Sequence, residues 1–434
     1  MSSTLSCFLT RAVIRTAVSA LLPLVAAASI AIGAPSEVKT PPPDSGLSTE
    51  RIQRLDRVID DAIARKQIAG VIMLLKRDGK DVYLKTYGMQ DIEAGKPMRT
   101  DTIFRIASMS KAITVVGALM LYEEGKFLLH DPVGKYIPAF KKSLVAIPAP
   151  AGSPENVKFI TVEAKRPMTI RDLMCHTSGL SYGGGPAGAL YEKAKLNDWY
   201  FADHDETIGE AMQRLATIPL SGQPGENFIY GFSIDLLGYL IEVVSGQPLD
   251  RYLEERIFKP LGMVDTCFYL PPEKADRLMP VYGLQDGKLF LKEANATSDN
   301  LKGPRKCFSG GAGLLSTVND YGRFLQMLLN GGELDGVRIL GPKTVELIRQ
   351  NHTGTMYNWD TNAFGLGFWV NKDLGVYGEL GSEGAYGWGS AYNPQFFIDP
   401  KERMVGLFLT QLMPAGDSDL NKKFKVLSYQ ALIK

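Results

Sequence analysis

Strand-forming segments lie near both ends of this chain and scarcely anywhere between, which narrows the folds open to it. Gly70 to Lys76 and Asp81 to Tyr87 are β-rich runs around Asp78-Gly79, a dipeptide that accommodates the positive φ angles of a tight hairpin turn. Towards the far end, Phe364 to Val370, Ala391 to Ile398 and Met404 to Thr410 read as strands, with a turn at Asp399-Pro400-Lys401-Glu402 between the last two. The stretch from about 105 to 350 is mainly helix and loop. Both ends are therefore expected to build one antiparallel sheet flanked by helices, with the middle inserted as a large helical region. That is an α/β (α+β) architecture, and the cleft between two such regions is where ligand sites tend to form.

A helix signal precedes the first hairpin: Ser48 caps a segment with Ile52, Leu55, Val58, Ile59 and Ile63 at helical spacing. Ahead of it, Arg11 and Arg15 followed by the apolar run Ala17 to Ile32, with small residues at Ala28, Ala31 and Ala34, have the layout of a secretory signal peptide. The run is short of the roughly 20 apolar residues that span a bilayer. The expected organisation is a signal over 1–34, a Pro/Ser-rich linker over 35–47 and one domain over 48–434. The destination is then periplasmic or secreted, with no membrane span left after the signal is removed.

The 434 residues are 45% apolar and 22% charged, enough for a large core. With 48 Lys+Arg against 47 Asp+Glu, the net charge of +1 gives no field to hold nucleic acid. Cys7, Cys175, Cys267 and Cys307 match neither a disulfide framework nor a zinc pattern. They read as small buried hydrophobes, with an oxidised pair left open. The sequence leaves the oligomeric state undetermined.

The chemistry concentrates in Phe104-Arg-Ile-Ala-Ser108-Met-Ser-Lys111, which runs into an apolar helix, Ala112 to Tyr122, that stops at Gly125. Ser108 and Lys111 are three apart, one helical turn from each other on the same face. A serine hydroxyl becomes a useful nucleophile only with a base in hydrogen-bond reach, and a desolvated lysine can serve. The helix N-terminus adds a positive dipole and free N–H groups suited to a developing oxyanion. Ser-x-x-Lys alone recurs by chance, as an N-cap serine with a surface lysine. Tyr230, in Gly225-Glu-Asn-Phe-Ile-Tyr-Gly-Phe-Ser233 ahead of a helix at Leu236 to Val244, adds a phenol able to relay the proton between nucleophile and leaving group.

With these residues the chain resembles the serine β-lactamase and penicillin-binding-protein superfamily, and within it the class C β-lactamases and family VIII carboxylesterases. The resemblance runs from about 48 to 430. It is carried in the family's order by Thr102 to Lys111, Thr169 to Leu180, the Tyr230 segment with Pro260-Leu-Gly-Met263, Ser309-Gly-Gly-Ala-Gly-Leu-Leu-Ser316 and Tyr386-Gly-Trp-Gly-Ser390. It implies Ser108 as nucleophile, Lys111 and Tyr230 as shared general base, and the backbone N–H groups of Ser108 and Ala391 as oxyanion hole. No cofactor or metal is implied. Where β-lactamases carry Lys-Thr-Gly, this chain has Trp388, Gly389 and Ser390, similar to the Trp-Gly-Gly of family VIII esterases. The lost lysine removes the cation for a β-lactam carboxylate and favours an apolar acyl or alcohol group. Ser233 also stands three residues after Tyr230, in place of the class C Asn two residues after it.

Other residues invite competing readings. His352-Thr353-Gly354 imitates a substituted Lys-Thr-Gly but follows a helix at Thr344 to Arg349, and reads as a loop. His176 reads as a structural residue with a backbone hydrogen-bond partner. Ser309 to Gly313 reads as a tight bend rather than a phosphate loop, and the loop from Tyr182 through Trp199-Tyr200-Phe201 as either a pocket wall or plain surface. No H-E-x-x-H or Gly-Lys-Ser/Thr element occurs. The expected function is acyl-enzyme hydrolysis of a small ester or amide, above all of short-chain esters. The alternatives are a β-lactamase or D-amino-acid peptidase on the same serine, and a catalytically silent binding protein on the same fold.

Overall fold

The computed structural model describes residues 39–42, 44–357 and 362–434. The expected signal peptide and the first part of the linker lie outside them. Within the remaining linker, Lys39 pairs with Leu84 and Leu47 with Leu432 as isolated antiparallel bridges.

Helix α1 (Thr49–Ala64) begins at Ser48, whose side chain accepts from the Arg51 N–H, and buries Ile52, Leu55, Ile59 and Ala62. Strands β1 (Gly70–Arg77), β2 (Lys80–Asp91) and β3 (Lys96–Pro97) follow. The long inserted region contains α2 (Ser110–Glu123), α3 (Ser233–Ser245) and α4 (Val318–Leu329). The chain then returns through β4 (Ala363–Phe364), β5 (Trp369–Val370), β6 (Tyr386–Gly389), β7 (Gln395–Asp399) and β8 (Met404–Leu409), and finishes with α5 (Leu420–Tyr429). These strands form an eight-stranded sheet in the order β4-β5-β6-β7-β8-β1-β2-β3. The seam between the chain ends is the antiparallel pairing of β1 with β8, from Ile72 opposite Leu409 to Arg77 opposite Met404.

Residues alternate between the two faces of a strand, and here both faces are covered. Phe396 packs at a tilt against Tyr321 of α4 at 5.4 Å, while its neighbour Phe397 stacks on Tyr429 of α5 at 5.2 Å. On the α4 side a Cβ on Gly322 would come 2.8 Å from Leu74, so glycine sets how closely α4 lies on β1. A sheet buried on both sides explains why β1 is a continuous apolar run.

The middle, expected to be mainly helix and loop, also carries two hairpins, Leu144–Pro148 with Phe159–Glu163 and Val281–Gln285 with Lys288–Glu293, and two boundaries in the large sheet differ from expectation. Phe364 to Val370 is a hairpin, because Gly367 takes φ +82° and turns the chain between β4 and β5. The strand expected at Ala391 to Ile398 begins at Gln395, and the preceding strand is instead Tyr386–Gly389. Cys175, Cys267 and Cys307 are unpaired thiols, which settles against an oxidised pair among them. No helix among the described residues is long and apolar enough to cross a membrane.

A buried carboxylate ties together one part of the inserted region. Asp172, buried at the start of a short helix, receives Arg166 through two bonds of 2.6 and 2.9 Å, the Thr169 N–H and hydroxyl, and the Thr177 hydroxyl. Burial alone would raise its carboxyl, but these donors outweigh it and hold the group below the usual aspartate range. A carboxyl depressed in the folded state adds stability above its unfolded value, roughly 3.9, and loses it as pH falls through the folded value. Asp172→Ala should therefore cost about 2–4 kcal/mol at pH 7, with a smaller deficit at pH 3. Urea unfolding of both proteins at the two pH values checks this, and an equal deficit at both would contradict it.

Candidate active site

Ser108 lies on a single 3-10 turn, Ala107–Met109, that leads directly into α2. Ala107 has φ +34°, a strained backbone for a residue with a side chain, and such strain gathers where geometry must be fixed. Helix α2 is apolar almost all round and runs through the core. That environment makes Lys111, only 1% exposed, a notable guest. Its ammonium satisfies all three N–H bonds: Ser108 Oγ at 3.3 Å, Tyr182 Oη at 3.1 Å and the Gly311 carbonyl at 2.8 Å. Tyr230 donates its phenol proton to Ser108 Oγ at 2.8 Å, and its ring lies 4.7 Å below Lys111 Nζ.

Three segments bring these groups together. The Tyr230 strand-like stretch docks on the Thr169 to Leu180 segment through Ile229 N–H to His176 carbonyl at 2.7 Å and Gly225 N–H to Thr177 carbonyl at 2.7 Å. A Cβ on Gly231 would collide with the Leu180 carbonyl at 2.4 Å. The 309–313 bend is placed by pairing Phe104 with Ser316 and Arg105 with Leu315, and by a Thr114 hydroxyl donating to the Gly310 carbonyl at 2.8 Å. The tight bend expected there is present, and it supplies the acceptor for Lys111.

Ser108 and Tyr230 open into a cavity of about 530 Å³ that Trp388, Gly389, Ser390 and Ala391 also line. Trp388 packs against Tyr230 at 5.7 Å and Phe364 at 5.3 Å. Trp199, Trp369, Tyr357 and Tyr377 extend the aromatic wall, so the loop through Trp199 does border the pocket. A second cavity, about 620 Å³, lies beside Phe258, Phe268 and Phe308, away from Ser108.

Several residues depart from expectation. His176 is fully buried under Tyr230, with ring centroids 4.6 Å apart, and neither ring nitrogen has a hydrogen-bond partner. Its expected backbone partner is absent from the side chain. Burial and then Lys111 hold its imidazole well below the usual histidine range, so it is neutral. Ser233 turns away from Ser108 and bonds Ser178 at 2.8 Å. His352 bonds the Leu347 carbonyl at 2.9 Å in a loop. Tyr182, by contrast, was hidden in a glycine-rich loop with no spacing signal. Desolvation, with Asp235 and Tyr230 adding, holds its phenol well above the usual tyrosine range, so it faces Lys111 protonated.

Comparison with known sequences fits this geometry. The family described as Beta-lactamase matches residues 55–430. The chain belongs to the β-lactamase family. Its similarity extends to Protein Rv1367c of Mycobacterium tuberculosis, 34% identical across 84% of this chain and 95% of that protein. It extends also to Esterase EstB of Burkholderia gladioli, 29% identical across 84% and 91%. Among solved structures, EstCE1, described as a hydrolase with promiscuous acyltransferase activity, superposes with a TM-score of 0.73 at 27% identity, covering 89% of this chain and 99% of that one. The protein is thus a serine hydrolase of the β-lactamase and penicillin-binding-protein family, on that family's α/β fold.

Proposed function

We propose that this protein is a carboxylesterase for short-chain esters, working through an acyl-enzyme on Ser108. The observation that carries the reading is Ser108 Oγ at 2.8 Å from Tyr230 Oη and 3.3 Å from Lys111 Nζ, facing an aromatic cavity. In the proposed reaction Ser108 Oγ attacks the ester carbonyl while its proton passes to the Lys111–Tyr230 pair. The Ser108 and Ala391 N–H groups receive the oxyanion, aided by the start of α2. Collapse expels the alkoxide, which takes the proton back from the pair. Water then attacks the acyl carbon by the same route in reverse, releasing acid and free Ser108.

Trp388 supports esters over β-lactams. A strand lysine pairing with a substrate carboxylate would contribute roughly 1.5–3 kcal/mol, about tenfold to more than a hundredfold in binding, and an indole supplies no such contact. The second reading, a β-lactamase or D-amino-acid peptidase, draws on Lys422, an exposed cation on the rim of the same cavity. We expect kcat/KM for p-nitrophenyl butyrate to exceed that for a chromogenic cephalosporin by at least about tenfold on one preparation. The reverse preference would replace the esterase reading with the second.

A further inference from the structure

Lys111 and Asp235 are both enclosed, at 1% and 0% exposure, yet no carboxylate touches Lys111: its three bonds go to Ser108, Tyr182 and Gly311. A lone buried charge is costly, and such charges are normally paired. The residue between the two is Gly311. Its carbonyl accepts from Lys111 Nζ at 2.8 Å, while its N–H donates to Asp235 Oδ1 at 3.0 Å. The Ser309 hydroxyl donates to the same Oδ1 at 2.5 Å and in turn accepts the Ala312 N–H at 3.0 Å. Asp235 Oδ2 has no hydrogen-bond partner, and a Cβ on Gly311 would fall 2.3 Å from it. The carboxylate is thus pressed against the bend that holds Lys111, with glycine required at the point of contact.

We propose that Asp235 is the counterion and positioning residue of Lys111, acting through the 309–312 bend rather than by touching the lysine. This rests on the reading of Ser108 as nucleophile with Lys111 and Tyr230 as its proton acceptor. The other titratable groups facing this pair are Tyr182 from the glycine-rich loop, His176 under Tyr230 and Cys307 on the Asp235 side. Burial keeps the first protonated, the second neutral and the third a thiol. In this proposal Asp235 is the negative charge that answers Lys111. Burial raises its carboxyl, and Lys111 is the strongest influence drawing it back.

The consequence is a pH effect whose sign does not depend on which group carries the shared proton. Activation requires the Lys111–Tyr230 pair to lose one proton, and a nearby negative charge opposes that loss. Asp235→Asn keeps an oxygen for Ser309 and Gly311 but removes the charge, so the acid limb of kcat/KM should move to lower pH by about one unit. Ser309→Ala keeps the charge and loosens the bend, so kcat should fall by about tenfold with KM nearly unchanged. Both variants are measured on p-nitrophenyl butyrate across pH, after thermal unfolding has shown a folded protein, and wild type is treated in parallel with a fluorophosphonate and peptide-mapped. A label absent from Ser108 overturns the nucleophile reading. A label on Ser108 with an unmoved acid limb in Asp235→Asn overturns only the role of Asp235. Should Asp235→Asn not fold, wild-type kcat in Ser309→Ala overturns the positioning role.

Discussion

Ser108→Ala should abolish p-nitrophenyl butyrate hydrolysis, lowering kcat by at least about four orders of magnitude, while the protein stays folded. The side chain is small and half-buried, and the bonds it gives up, to Tyr230 and Lys111, tie together catalytic groups rather than core elements. Lys111 still has Tyr182 and the Gly311 carbonyl, so its charge is not stranded. The two readouts are the ester assay and a thermal melt of the same sample. Turnover near wild type in a folded variant would remove Ser108 from the mechanism.

The second large effect concerns the base. Lys111→Ala and Tyr230→Phe should each lower kcat by about two to four orders of magnitude, and the double variant should be little worse than the poorer single. The ammonium sits 4.7 Å from the Tyr230 ring and both groups bond one oxygen, so they handle a single proton as one unit, and units of this kind are strongly non-additive. Lys111→Ala also leaves a cavity in α2 and strips Asp235 of its countercharge, so some loss of stability accompanies it. Tyr230→Phe removes one oxygen and keeps the packing on His176 and Trp388, which makes it the cleaner kinetic probe. A double-mutant cycle on kcat decides, and losses that multiply would mean two independent roles.

What could be read in the sequence follows from the range of the interactions involved. Ser108 and Lys111 were legible because three residues on a helix guarantee proximity, and Tyr230 because a family pattern flagged it. Tyr182 and Gly311 were not, since each reaches Lys111 from a separate segment and no local spacing encodes such a meeting, and Asp235 stands one step further off, behind the Gly311 peptide. Glycine caused the errors in the sheet. Gly387 and Gly389 lower the β signal of Tyr386–Gly389, yet close packing asks for the first of them, a Cβ on Gly387 meeting the Phe396 carbonyl at 2.2 Å. The Phe364 to Val370 run looked continuous because a turn at Gly367 interrupts the apolar pattern without polar residues. His176 misled for another reason: a buried imidazole normally finds a donor or acceptor, and here aromatic rings surround it instead.

The seam between β1 and β8 bears on how the chain is made. As the ribosome releases the first hairpin, the strand destined for its open side has not yet been synthesised, and Ile72 must wait for Leu409. Helices of the inserted region can form locally in that interval, whereas the sheet closes only when the carboxyl end emerges. Long-range pairing of this kind slows folding and leaves an apolar strand, β1, unprotected in the nascent chain. Loss of even the last strand and helix would leave that edge open for good, so a prematurely terminated copy is an aggregation hazard rather than a smaller working enzyme.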